Sequence, residues 1–311
     1  MMKKRGLAIM AAVTLLAVAV SALAMSDSVL GSIYDAGKTL LFDTSNVTLK
    51  GTAEFSLDGT RFKGVRAEYM QDGYNSSWKY QLFTPRKDGS GDRESGFTVI
   101  ANENTLYVME TLKPGTYRLG YDSEQNTLVQ RSPLLDQVVE LAGIMAGQAE
   151  GLLGADAVTV VTDNHTGRTV KLTLNRENIS GLMNVVYNLC VQMAIKRGIN
   201  PYGYYDADST WINGNLYSHG SIALGIANTT SRYDLRTADV TFTLDGNGNL
   251  RAASGSIVTE LVLGEESRLE GEVNPHVLEM TFDVTASAYG TTLVPLFYPE
   301  EAGLRMERSQ Y

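Results

Sequence analysis

A regular alternation of apolar and polar residues over residues 46–59 leaves this stretch one structural option. Val47, Leu49, Gly51, Ala53, Phe55 and Leu57 alternate with Thr48, Lys50, Thr52, Glu54 and Ser56. Successive side chains of a strand point to opposite faces, so period two makes a strand buried on one face and wet on the other. Asp58-Gly59 then supplies a hairpin turn. Such a strand is not stable alone; it needs partners at its sides and a cover on its apolar face.

The partners follow at once. Val65, Ala67 and Tyr69 share one face of a second strand that ends at Asp72-Gly73. Trp78, Tyr80 and Leu82 do the same in a third, which runs into a polar loop over residues 85–96. Residues 97–100 pair with 106–109, and 117–121 with 127–130. Connections this short allow only antiparallel pairing, so the first half is a meander. Residues 157–162 and 168–174 form a further hairpin, with Val170, Leu172 and Leu174 facing inward. The pattern resumes with Val240, Phe242 and Leu244, then residues 257–263, then Leu278, Met280, Phe282, Val284 and Ala286. Between them, residues 200–236 are rich in tyrosine, and only Ile222, Leu224 and Ile226 suggest a strand.

Three stretches switch to helical spacing. Val29, Ile33, Ala36, Leu40 and Leu41 recur over residues 26–42. Ser132-Pro133 opens a helix with an N-cap and a first-turn proline, and Leu134, Val138, Leu141, Ile144, Met145, Ala149, Leu152 and Leu153 form its stripe. The clearest helix covers residues 178–198. Its stripe is Ile179, Leu182, Met183, Val186, Leu189, Cys190, Met193 and Ala194, its N-cap Asn178, and its stop Gly198 with Pro201. Antiparallel strands in runs with a few helices give an α+β fold in which helices lie on a sheet.

The N-terminus carries Lys3, Lys4 and Arg5, an apolar run over residues 7–20 and the small-residue pair Ala22 and Ala24. This is the layout of an export signal, and about 20 apolar residues also suffice for a retained anchor. Under either reading residues 25–311 form one domain outside the cytoplasm, because the positive end stays inside. Three of the 26 basic residues and none of the 35 acidic ones belong to the leader. The remainder is strongly acidic, which argues against nucleic acid and against adsorption to anionic lipid. Membrane association is therefore assigned to residues 1–24 alone. Cys190 is the single cysteine; it lies in the helix stripe, so neither an intrachain disulfide nor a lipid-bearing N-terminal cysteine is available, and a small buried hydrophobe is its reading.

Chemistry-bearing motifs are sparse. Asp245, Asn247 and Asn249 imitate the start of a calcium loop, but Leu250 stands where that loop needs Gly and Ser256 where it needs Glu. A Gly/Asn hairpin explains the same residues. His165, His219 and His276 are dispersed, and no Gly-x-Ser-x-Gly elbow or phosphate loop is present, so no catalytic residue, metal or cofactor is assigned. What remains is apolar. Trp78, Tyr80, Ile144, Met145, Met183, Val186 and Leu189 either line a cavity between sheet and helices or pack on one another as core.

The segments NVTLKGTAEFSLDG, TVIANENTLYVME, ADVTFTLDGNGNLRAASGSI and HVLEMTFDVTASAYG, in an order of helix, meander, helix, two strands, helix, meander, resemble the LolA-like superfamily. That superfamily holds the lipoprotein carriers and the mycobacterial lipid-binding lipoproteins of the LppX and LprG type. The resemblance spans most of residues 26–298. It implies a strongly curved antiparallel half-barrel whose concave face is covered by amphipathic helices, and a non-enzymatic bacterial envelope protein holding a lipid or other hydrophobic molecule between them. The absent lipobox sets this chain apart from the lipidated members. The alternative is a packed sensory or interaction domain that contacts another envelope protein without a ligand.

Overall fold

The computed structural model describes residues 29–86, 89–102, 105–111, 114–121, 140, 157–179, 181–198, 209–212, 215–218, 230–265 and 274–306. After helix α1 (Val29–Phe42) come β1 (Asn46–Leu57), β2 (Thr60–Asp72), β3 (Asn75–Pro85), β4 (Asp92–Asn102), β5 (Thr105–Glu110) and β6 (Thr116–Tyr121). Then follow β7 (Val158–Asn164), β8 (Gly167–Leu174) and helix α2 (Gly181–Gly198). The chain ends with a hairpin of β9 (Ser209–Ile212) and β10 (Asn215–Ser218), then β11 (Thr230–Asp245), β12 (Leu250–Leu263), β13 (His276–Ser287) and β14 (Arg305–Met306). Apart from residue 140, which is helical, the expected helix at 134–153 lies outside the described residues, as do the strands at 127–130 and 222–226.

Twelve of these strands form one open sheet in the order β14-β6-β5-β4-β3-β2-β1-β13-β12-β11-β8-β7. All neighbours are antiparallel except β14, which runs parallel to β6. The strand with the strictest alternation, β1, holds the two meanders together: Gly51 lies opposite Ala67 of β2 on one side and Val284 of β13 on the other. Val47, Leu49, Ala53 and Leu57 are buried while Lys50, Thr52 and Glu54 are exposed, as period two requires. The same inner face continues through Trp78 and Tyr80 of β3, Ile257 of β12, Val240 and Phe242 of β11, and Leu172 of β8 in one hydrophobic core. The polar loop expected over residues 85–96 is shorter than that: β4 begins at Asp92, where its carboxylate takes a two-pronged bond from Arg61 at 2.8 and 3.0 Å.

Helix α1 packs on β11 and β12 through the expected stripe, with Ile33, Leu40 and Leu41 each at 1–2% exposure. Fully burying side chains of this size gains roughly 1.5–3 kcal/mol each. Gly255, midway along β12, is fixed by close approach: a Cβ there would lie 2.0 Å from the Asp239 carbonyl of β11, and φ is 155°.

The stretch after β13 has no regular pattern and is held by two asparagines. Asn46 donates to the Thr292 carbonyl at 2.9 Å and accepts from the Thr292 N–H at 2.7 Å, and it also donates to Asp72 at 2.9 Å. Asn102 holds Phe297 in the same reciprocal way, at 2.7 and 3.2 Å. Phe297 then packs edge-on against Tyr107, with ring centroids 5.6 Å apart, before the chain reaches β6 as β14. Residues 288–306 therefore form a strap along the sheet. The strap explains why Thr48 is buried on the otherwise wet face of β1, since its hydroxyl bonds that of Thr292 at 3.0 Å.

The β11–β12 turn is built around Asp245. Its carboxylate accepts from the backbone N–H of Asn247 and of Asn249, both at 2.9 Å, and from Arg251 at 3.0 Å. Desolvation pushes its pKa up, but these bonds outweigh that and hold the group below the usual value of 3.8. The expected Gly/Asn hairpin is thus what forms, with the aspartate oxygens committed to the turn.

Two outcomes follow from these contacts. Asn46→Ala removes three bonds and should cost roughly 1–3 kcal/mol in urea denaturation, with faster amide exchange confined to the strap. The contribution of Asp245 is fully present above pH 3.8 and is lost as pH falls through its lower folded value. Asp245→Asn should therefore be less stable than wild type at neutral pH, and the gap should narrow below pH 3.8 in denaturation curves taken across the acid range.

Candidate functional site

The inner face of β2, β3 and β4 carries a row of aromatic rings placed by strand register. Tyr69 lies opposite Trp78 and packs against it edge-on at 5.4 Å; Tyr80 lies opposite Phe97 and stacks on it at 6.1 Å with planes 10° apart. Polar groups in this row are mostly satisfied. The Tyr69 hydroxyl donates to Gln71 Oε1 at 2.7 Å, and Gln71 Nε2 donates to the Gly73 carbonyl at 3.1 Å. Burial pushes the Tyr80 hydroxyl far above the ordinary tyrosine range and keeps it neutral. The indole N–H of Trp78 is different: the side chain is 7% exposed and its Nε1 has no hydrogen-bond partner.

Helix α2 packs against β11, and its polar residues decide how. On its outer side β11 pairs with β8 only from Ala238 onward. Among the described residues no strand covers that side of 230–237. The backbone N–H groups of Leu235 and Tyr233 donate instead to Asn184 Oδ1 at 2.7 Å and Asn188 Oδ1 at 3.0 Å. These two asparagines, one turn apart on α2, act as a substitute strand edge. Their seating turns Met183, Tyr187 and Val191 into the core at 1%, 3% and 7% exposure, and the Tyr187 hydroxyl bonds Thr259 of β12.

This orientation corrects part of the sequence reading. Leu189 was expected to line the interior, yet it is 40% exposed, because the edge contacts of Asn184 and Asn188 rotate it toward solvent. Tyr187, absent from the predicted stripe, takes the inward place. The helix begins at Gly181, and Asn178 does not cap it: its side chain bonds the Thr173 carbonyl and the Asn175 N–H.

Of the other residues singled out, Trp78, Tyr80 and Met183 are buried in one core, with Trp78 and Tyr80 on β3 and Met183 under β11. In the sheet order β2, β1, β13 and β12 separate those two strands. Ile144 and Met145, and the side chain of Val186, lie outside the described residues. Tyr69 and Phe97 complete the aromatic row; Tyr69 was legible as an inward position of its strand, whereas residues 97–100 were read only as a pairing strand. His276, expected to stand alone, meets Asp58 across the sheet, Nδ1 to Oδ2 at 2.7 Å. Among the described residues no helix is long and apolar enough to cross a membrane.

Two grooves open on the opposite side of these elements. One, of about 710 Å³, is lined by Arg61, Arg66, Phe83, Asp92 and Asp283, and its arginines are engaged by Asp92 and by the Phe83 ring. The other, of about 510 Å³, lies between α2 and the outer face of β11.

No protein-family model matches the sequence. No curated protein matches it. Two of the solved structures similar to the chain are as follows. One is LprF from Mycobacterium bovis, with a TM-score of 0.31 and 12% identity over 84% of this chain and 96% of that one. The other is a LolA superfamily protein from Nitrosomonas europaea, with a TM-score of 0.21 and 11% identity over 82% of this chain and 92% of that one.

The two faces of α2 predict opposite outcomes for truncation. Met183→Ala should cost roughly 2–5 kcal/mol, the range for a buried side chain. Leu189→Ala should stay within about 0.5 kcal/mol, as surface changes do. Urea denaturation of both variants checks the orientation.

Proposed function

We propose that this is a non-enzymatic binding protein of the bacterial cell envelope that holds a lipid or other hydrophobic molecule against the inner face of its sheet. The observation that carries this reading is the indole N–H of Trp78, buried without a partner in a row of aromatic rings. Leaving a buried donor unsatisfied costs about 1–3 kcal/mol, and native structures seldom carry such a group without a use. An otherwise apolar surface with one convergent polar group is the usual composition of a small-molecule site. A ligand that presents an acceptor oxygen, such as the carbonyl of an acyl ester or acid, recovers the lost bond.

Residues 1–24 export or anchor the chain, and residues 25–311 act outside the cytoplasm as one domain. The sheet curves into a half-barrel around the ligand; register shifts at Phe55/Ser56, Leu235/Thr237 and Thr243/Leu244 support this, because bulges bend and twist the strands that carry them. Trp78, Tyr80 and Met183 line the site together with Ile144, Met145 and Val186, and helices cover its concave face. Entry requires α2 to swing from the β11 edge, breaking the contacts of Asn184, Asn188 and Tyr187. Binding then rests on shape and apolar burial, with Trp78 fixing orientation.

One observation favours a second reading, a packed domain that contacts another envelope protein. The strap exposes Leu293 at 78%, Leu296 at 54% and Tyr298 at 51%. These three lie within six residues of one another along the strap, and a contiguous exposed apolar patch marks an interaction site.

The chain has two tryptophans, Trp78 and Trp211, so Trp211→Phe leaves Trp78 as the sole indole reporter. Adding a long-chain fatty acid should shift its emission saturably, and Trp78→Phe should weaken binding about tenfold. An emission unmoved by fatty acids and by their methyl esters would favour the packed domain.

A further inference from the structure

The groove between α2 and the outer face of β11 has a composition unlike the rest of this acidic chain. One wall is apolar: Ile179, Leu235, and Val185 and Leu189, exposed at 55% and 40% one helical turn apart. The opposite wall carries Arg176, Arg232 and Arg236. Beneath them sit Asp234 and Glu260, whose side chains are 20% and 17% exposed, against 67%, 62% and 45% for the three arginines. Asp234 takes Arg232 Nε at 2.8 Å, and Glu260 takes Arg176. Arg236 Nε is 3.9 Å from Glu260, beyond hydrogen-bond length.

Three guanidinium groups over two carboxylates leave a local surplus of one positive charge on a chain whose net charge is −9. The carboxylates are tucked below and hold the arginine forks at the rim. A guanidinium has five donors in a fixed plane, so one bonded carboxylate leaves donors for a second anion. We propose that this groove is a binding site for a single-chain amphiphile with an anionic headgroup, the chain lying on Val185 and Leu189 and the headgroup between Arg232 and Arg236. Its volume of about 510 Å³ falls within the roughly 300–1,000 Å³ of small-molecule pockets.

This site is separate from the inner face, because Met183 and Tyr187 point to the core while Val185 and Leu189 point away. It stands or falls apart from the inner-face reading.

The test is titration of the purified full chain with dodecyl phosphate below its micellar concentration, beside uncharged dodecyl glucoside and inorganic phosphate. Wild type should prefer dodecyl phosphate to both controls by tenfold or more, with affinity falling as salt rises. Arg232→Gln/Arg236→Gln should abolish the preference over the glucoside. Leu189→Ala, with the fold unchanged, should weaken dodecyl phosphate several-fold and leave inorganic phosphate unaffected. Equal affinity for the two amphiphiles in wild type, a preference that survives the double arginine variant, or inorganic phosphate binding as tightly as dodecyl phosphate overturns the site.

Discussion

A twelve-stranded sheet with one apolar face has to keep that face out of water, and this requirement organises the rest of the structure. At about 25 cal/mol per Å² of apolar surface, no set of surface contacts in the chain approaches the same driving force. The chain meets the requirement with unequal means. Over β11 and β12 it uses α1, which buries Ile33, Leu40 and Leu41, and α2, which buries Met183, Tyr187 and Val191. Over β2 to β4 it uses large aromatic side chains, which fill space but bring a polar atom that needs a partner. Trp78 is where that second solution stays incomplete.

Hydrogen bonding then fixes what burial leaves undetermined. An apolar helix face tolerates sliding and rotation, whereas the carbonyl oxygens of Asn184 and Asn188 meet two particular backbone N–H groups of β11. The register of α2 is set there, and with it the identity of the inward side chains. Asn46 and Asn102 play the same part for the strap, each gripping one residue by its N–H and its carbonyl. In both places an amide side chain does what a neighbouring strand would otherwise do, and it does so where the sheet lacks one.

This division explains what could be read from the sequence. The period-two runs in β1, β11, β12 and β13 were legible because a half-buried strand writes its environment into every second residue. The stripe of α1 was legible for the same reason at helical spacing. In α2 the logic misled for Leu189, since Asn184 and Asn188 look like a solvent face when they in fact abut a strand edge. The strap was illegible because its anchors are single asparagines 195 and 246 residues away in sequence, with no periodicity to betray them. Tyr69, Trp78 and Tyr80 of the aromatic row were legible strand by strand, but which polar atom in it stays unpartnered is set by side-chain geometry that no spacing records.

A hydrophobic ligand on the inner face would complete the partner set of Trp78. The most direct measurement is native mass spectrometry of the protein purified from membrane-exposed material, paired with mass spectrometry of its organic extract. A stoichiometric adduct whose mass matches an extracted lipid is expected, and it should be lost when the protein is denatured. A clean apo mass that persists after incubation with added lipid would contradict it.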